Sequence, residues 1–156
     1  MPSSKAVMRL RQERKLWRKD HPSNFVAKPT KKDDGSSNLM RWTCKIPGLK
    51  NTPWAGGIYG VTIGFCDNYP DTTPNVSFSP PIFHPNVYRS GSVCLSILKS
   101  SKWTSTMGVK DILRALQTLL NDPNADDPAN SEAAKLYTND RGAYDQRIKA
   151  YAKSTV

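Results

Sequence analysis

Between residues 40 and 46 the chain alternates, with Met40, Trp42, Cys44 and Ile46 apolar and Arg41, Thr43 and Lys45 polar between them. A period of two puts one set of side chains on each face of a strand, so this segment predicts a half-buried β-strand. Pro47-Gly48 ends it. Tyr59, Val61, Ile63 and Phe65 repeat the alternation, Val76 to Phe78 gives a shorter strand, and Phe25-Val26-Ala27 a short one ahead of them. The stretch from Thr30 to Asn38, with Asp33-Asp34-Gly35 inside it, predicts a turn-rich connection. Four strands joined in sequence by short links predict an antiparallel meander of hairpins.

The helical pattern lies outside this block. Over residues 4–19, Val7, Leu10 and Trp17 recur at helical spacing, Ser3 or Ser4 supplies a start, and His21-Pro22 supplies a stop. After Trp103, Val109, Ile112, Leu113, Leu116, Leu119 and Leu120 form one apolar stripe that ends at Asn121-Asp122-Pro123. A shorter helix is predicted from Ser131 to Thr138, and a last one from Asp140 to Lys153 with Tyr144, Ile148 and Tyr151 inward. Helix, antiparallel sheet, then helices make an α+β fold. With no internal repeat, low-complexity segment or linker in its 156 residues, the chain is expected to be one domain, 1–156.

Proline refines the middle of the chain. Ten of the twelve prolines lie between Pro22 and Pro123, and Pro70, Pro74, Pro80, Pro81 and Pro85 crowd the approach to Cys94. That stretch suits neither helix nor central strand and reads as rigid irregular chain. Tyr69-Pro70 is a setting in which a cis peptide is common, and the sequence leaves its isomer open.

Charge is uneven. Residues 1–32 hold ten basic residues against Glu13 and Asp20, a net +8 within a total of +10. Arg11, Arg14, Lys15 and Arg18 share one face of the first helix, and that end is expected to attract an acidic surface. A solvated helix face is the plainer alternative. No apolar run approaches 18 residues and the N-terminus lacks an apolar signal core, so neither a membrane span nor a secretory signal is expected. The cysteines Cys44, Cys66 and Cys94 are odd in number and widely spaced, which suits a reducing compartment. Two histidines and no C-x-x-C pair make a metal site an unpromising reading, and none is assigned.

The chemistry concentrates in His84-Pro85-Asn86-Val87-Tyr88-Arg89-Ser90-Gly91-Ser92-Val93-Cys94. A thiol stands eight residues after an Asn that follows an X-Pro turn, with Gly91 between them to let the chain double back. A thiolate accepts acyl groups, and a side-chain amide beside it steadies the oxyanion of an attacked thioester. Cys44, at an inward strand position, reads as a small buried hydrophobe, and Cys66 likewise reads as structural.

This run resembles the active-site signature of the ubiquitin-conjugating enzyme family, and its wording is closest to the branch that carries SUMO. The resemblance spans the chain: Arg11 to Pro22, Asn38-Leu39-Met40, Thr52-Pro53-Trp54 with Gly56-Gly57, and Asp127-Pro128-Ala129 all match that branch. It implies the family's fold and a transferase that takes SUMO from an activating enzyme as a thioester on Cys94. A substrate lysine then attacks to give an isopeptide bond. Asn86 is expected to bond the oxyanion or to hold the loop that does so. Tyr88 and Asp127 are expected to line the lysine channel, Tyr88 excluding water and Asp127 orienting the amine. A helix-start cap over residues 129–131 is the alternative for Asp127.

By the same resemblance Arg14, Arg18 and His21 bind SUMO non-covalently, with neighbouring basic residues meeting the activating enzyme. Arg89, Ser90, Ser92, Pro128 and Ala129 fall in the substrate-docking region. The implied partners are SUMO, its activating enzyme, SUMO ligases and lysine-bearing proteins. A monomer of nucleus and cytoplasm is expected, with no bound cofactor, ATP being spent by the activating enzyme. His84 is expected to be structural rather than a general base.

The chain departs from the branch at the acceptor-docking surface. Asn75 and Ser77 stand where lysines that grip the acid of an apolar-Lys-x-Glu motif usually lie, and Ala134-Lys135 stands where Tyr-Thr is usual. Arg89 and Lys135 are extra cations nearby and are expected to take over that contact. The stretch Lys99 to Met107 is one residue shorter than usual. Three other readings carry less. A silent scaffold would have lost the thiol or the Asn, and a cysteine hydrolase wants a free His base where both histidines precede Pro. A nucleic-acid binder wants interleaved aromatics that the basic segment lacks.

Overall fold

The computed structural model describes residues 4–99 and 101–156. Helix α1 (Ser4–Lys19) leads into strands β1 (Val26–Lys31), β2 (Ser37–Pro47), β3 (Ile58–Gly64) and β4 (Asn75–Phe78). A 3₁₀ turn at Ser96–Leu98 follows, then helices α2 (Val109–Asn121), α3 (Ser131–Asn139) and α4 (Arg141–Ser154). The sheet order is β1-β2-β3-β4, every pair antiparallel, which is the predicted meander within an α+β fold.

Alternation and register together build the core. Ala27 pairs with Cys44, Cys44 with Val61, and Val61 with Phe78, so one buried row crosses all four strands. Trp42, Ile63 and Val76 form a second row. These side chains join Leu10 and Trp17 of α1, Ile112, Leu113 and Leu116 of α2, and Tyr144 and Ile148 of α4 in one cluster. Each fully buried aliphatic or aromatic side chain contributes roughly 1.5–3 kcal/mol. On α1 the inward residues are Ala6, Leu10 and Trp17, with Val7 only half-buried.

Two expectations about β1 need correction. It begins at Val26 rather than Phe25 and continues to Lys31, so the connection is confined to residues 32–36. Ala27 and Pro29 are the buried positions, and the register shifts by a bulge between Pro29 and Thr30. An edge strand tolerates a proline because one row of its backbone groups needs no partner. Tyr69-Pro70 is cis, as is Ser79-Pro80.

Helix α2 is started from a distance. The Glu13 carboxylate on α1 accepts from the Val109 N–H at 2.7 Å, and the Asp111 carboxylate accepts from Gly108 N–H at 2.9 Å. Those N–H groups have no partner inside the helix, so carboxylates satisfy them and favour the positive end of the helix dipole. A Cβ on Gly108 would fall 2.3 Å from Glu13 Oε1, so any side chain there must displace that carboxylate. Glu13 also takes a hydrogen bond from the Tyr69 hydroxyl and one from Arg9 at 3.1 Å, while burial pushes its carboxyl above the usual range.

Candidate active site

Residues 84–94 form a doubled-back chain beside β4. The Cys94 N–H donates to the Asn86 carbonyl at 2.9 Å, Val87 and Val93 bridge, and Tyr88 N–H donates to the Ser92 carbonyl at 2.9 Å. Gly91 turns the chain at φ +99°, a conformation that L side chains rarely adopt, and a Cβ there would meet the Phe78 carbonyl oxygen at 2.2 Å. The doubling back read from Gly91 is therefore the geometry that fixes Cys94 against Asn86.

Asn86 is buried, and its amide clasps the backbone of Asn124. Its Nδ2 donates to the Asn124 carbonyl at 2.8 Å, and its Oδ1 accepts from the Asn124 N–H at 2.8 Å. A primary amide carries two N–H donors, so one remains beyond this clasp. His84 sits wholly buried below. Its Nδ1 accepts from the Asn86 N–H at 3.0 Å, which assigns the ring proton to Nε2, the donor to the Leu119 carbonyl at 2.7 Å. Burial pulls its pKa down to about 4, because an imidazolium there would lose its hydration. Both ring nitrogens are occupied, so the geometry gives His84 no route to act on Cys94.

Cys94 is half-exposed and lines a cleft of about 250 Å³ together with Asn86, Ser96, Lys99, Asp122, Asn124 and Asp127. The Tyr88 hydroxyl lies 3.9 Å from Cys94 Sγ on a side chain about half exposed, and this neighbour raises the phenol's pKa. The cleft thus brings Cys94, Asn86 and Asp127 together, with Tyr88 at its rim. Asp127 is not a helix cap: α3 starts at Ser131, where the Asn130 side chain accepts from the Ala133 N–H at 3.0 Å. Two further donors come from this segment, for Ala129 and Asn130 both give their N–H to the Pro85 carbonyl, at 2.7 and 3.0 Å. The 124–130 strap is therefore tied to the His84-Pro85-Asn86 turn at both ends.

The remaining candidates lie elsewhere. Arg11, Arg14, Lys15 and Arg18 line a concavity of about 470 Å³ with Ser37 and Leu39, sharing no residue with the cleft. Arg14 donates to the Ser37 hydroxyl at 3.2 Å. His21 donates from Nδ1 to the Trp17 carbonyl at 2.8 Å and stacks on the Trp17 ring, centroids 5.1 Å apart. Arg89 lines a hollow with Phe83, Asn130, Glu132 and Arg147, and Lys135 lines a neighbouring one that also contains Arg147. Ser90 accepts from the Ser92 N–H at 3.3 Å, and Ser92 and Pro128 are exposed. Cys44 is fully buried, which pushes its thiol up to about 12. Cys66 is exposed and hydrogen-bonds the Thr72 hydroxyl at 2.6 Å, so it is no part of the core: it falls beyond the end of β3, where the period of two no longer governs. No group of three or more His, Cys, Asp or Glu side chains suited to holding a metal occurs among the described residues.

Asn124 and Lys99 were not singled out from the sequence. Asn124 acts through its backbone, which no residue type advertises. Lys99 reaches the cleft because the Ser96–Leu98 turn redirects the chain.

Comparison with known proteins identifies the family. The chain is 50% identical over 148 residues to the SUMO-conjugating enzyme UBC9 of Caenorhabditis elegans, covering 94% of this chain and 89% of that protein. It is 46% identical over 154 residues to the SUMO-conjugating enzyme SCE1 of Arabidopsis thaliana, covering 98% and 96% respectively. The ubiquitin-conjugating enzyme family model matches residues 9–152, and the chain belongs to that family.

Proposed function

We propose that this chain is a SUMO-conjugating transferase, carrying SUMO as a thioester on Cys94 and delivering it to lysines of other proteins. Identity of 50% across 94% of the chain to a SUMO-conjugating enzyme is the observation that carries the choice of SUMO. The partially exposed thiol, on a residue whose backbone N–H is held by the Asn86 carbonyl, supports the choice of atom.

In the first step Cys94 sulfur attacks the carrier's C-terminal carbonyl carbon, held as a thioester on the activating enzyme. A C–S bond forms to Cys94, the old C–S bond breaks, and the activating enzyme's thiol departs. In the second step a neutral lysine amine attacks the same carbon. The C–N bond forms, Cys94 leaves as thiolate, and the amine's extra proton is lost. An unperturbed lysine has a pKa near ~10.4, so only about one in 2,500 is neutral at pH 7. The site therefore gains most by lowering the cost of an uncharged amine. Tyr88 screens the approach from water and Asp127 faces the incoming ammonium across the cleft.

Asn86 serves twice. Its clasp on Asn124 fixes the strap that carries Asp127, and its second N–H is free to meet the oxyanion. Neither step calls for a cofactor at the cleft. Arg14, Arg18 and His21 take SUMO non-covalently, their neighbours meet the activating enzyme, and SUMO ligases and lysine-bearing substrates complete the partners of a monomer active in nucleus and cytoplasm.

The test is conjugation of a lysine-bearing protein with activating enzyme and ATP, using SUMO or ubiquitin in parallel. An isopeptide product with SUMO that vanishes in Cys94→Ala is expected. A product with ubiquitin alone contradicts the carrier.

A further inference from the structure

Four cations share one concavity without a carboxylate among them. Arg11, Arg14, Lys15 and Arg18 of α1 line the space of about 470 Å³ with Ser37 and Leu39 of β2, and no acid is among the described residues that line it. Arg11 and Arg14, and Lys15 and Arg18, stand three residues apart, while Arg11 and Lys15, and Arg14 and Arg18, stand four apart. Like charges at those spacings are neighbours on a helix surface and repel. The two acids of residues 1–32 are committed elsewhere. Glu13 takes hydrogen bonds from Val109, Tyr69 and Arg9, and Asp20 pairs with Lys110 at 3.8 Å. None of the ion pairs among the described residues engages the four cations.

We infer that this concavity is a binding site for a soluble anion bearing several clustered phosphates, and that the anion competes there with non-covalent SUMO. Arg11 to Arg18 covers about 10 Å along the helix axis, the reach of a compact ligand rather than of an extended strand. Neighbouring cations have Cβ atoms roughly 5–6 Å apart, so a single phosphate meets only part of the array and a clustered set meets all of it. Three of the four are arginines, whose planar forks hold phosphate oxygens two at a time. Arg14 is half-buried, and its Nη1 donates to the Ser37 hydroxyl at 3.2 Å, which holds the guanidinium in the concavity. That hydroxyl accepts from Arg14, so its own O–H is left to donate to a phosphate oxygen. A bound anion removes the repulsion along α1. It also covers Arg14 and Arg18, the residues proposed to take SUMO, and the competition rests on that reading.

The experiment has two arms. In the first, the full chain is titrated calorimetrically with inositol hexakisphosphate. One anion per chain is expected, with amide NMR shifts in the wild type at Arg11 to Arg18 and at Ser37 to Leu39. Arg14→Gln with Arg18→Gln is expected to weaken binding about tenfold or more, the loss that follows removal of charged hydrogen-bonding partners. Lys149→Gln with Lys153→Gln makes the same charge change on α4 and is expected to alter the affinity by no more than about twofold. Absence of saturable binding, equal weakening by the two pairs, or equally tight binding of a single-stranded DNA of the same charge overturns the site. In the second arm, SUMO is titrated with and without saturating anion. Lower SUMO affinity in its presence is expected, and unchanged affinity overturns the competition. SUMO that binds in neither case contradicts the contact proposed for Arg14 and Arg18, while the first arm still reports on the anion.

Discussion

The side chain of Asn86 and the backbone of Asn124 are joined by two hydrogen bonds of 2.8 Å each, one in each direction, across 38 residues of sequence. The pair fixes the strap that bears Asp127 against the turn that leads to Cys94. Asn86→Ala removes both bonds and the spare N–H together. Discharge of the thioester to a lysine is expected to slow by ~10²–10³. Loss of the buried clasp is expected to cost roughly 1–3 kcal/mol in stability. Single-turnover discharge and urea unfolding measure the two effects separately, and an unchanged discharge rate would remove Asn86 from the mechanism.

His84 makes a prediction about acid. Its pKa falls from an ordinary 6.5 to about 4 in the fold, so the unfolded chain binds the extra proton between those values. Stability contributed by this neutral histidine is complete above pH 6.5 and lost as pH falls toward 4. The loss amounts to about 1.4 kcal/mol per pH unit and up to about 3 kcal/mol in total. Urea midpoints of wild type and His84→Gln between pH 4 and 7 are expected to converge as pH falls. Over pH 6 to 8 the discharge rate of the wild type is expected to show no histidine inflection.

Gly108 and Glu13 predict a stability effect remote from the thiol. A methyl at residue 108 would sit 2.3 Å from the Glu13 oxygen that caps α2, so Gly108→Ala must dislodge that carboxylate. A loss of about 1–3 kcal/mol is expected from the broken cap and the buried carboxylate it strands. Thermal or urea unfolding checks it. A variant as stable as the wild type or more so would show that the cap contributes nothing.

Arg89 lines the hollow that also holds Arg147 and Asn130, on the turn that carries Tyr88 to the rim of the cleft. Arg89→Ala is expected to raise KM for an acceptor peptide bearing an acid after its lysine by roughly three- to tenfold, the size of a solvent-exposed charge contact. Thioester formation and transfer to free lysine should be untouched. Equal KM values for the two proteins would place recognition of the acid elsewhere.

Much of this architecture was legible in the sequence where side chains alternate or recur. The rows through Trp42, Cys44 and Ile46 on β2 and Tyr59, Val61 and Ile63 on β3 are the period of two made solid. The length of β1 is hard to read because an edge strand containing Pro29, Lys28 and Lys31 lacks the apolar run by which strands are recognised. The doubling back at Gly91 was legible because glycine marks positive φ. The Asn86 clasp and the Glu13 cap were not, because each joins a side chain to backbone groups far along the chain. Asp127 reads as a cleft residue with a helix cap as the alternative, and the start of α3 at Ser131, capped by Asn130, removes the cap.

The most direct test of the account is to mix the purified chain with SUMO, its activating enzyme and ATP, and to separate the products without reducing agent beside Cys94→Ser. The account predicts a SUMO adduct that reducing agent removes from the wild type, mapped by mass spectrometry to Cys94. In Cys94→Ser it predicts either no adduct or an oxygen ester that survives reduction. A reducible adduct that persists in Cys94→Ser, or none in the wild type with an activating enzyme that charges a control protein, would contradict it.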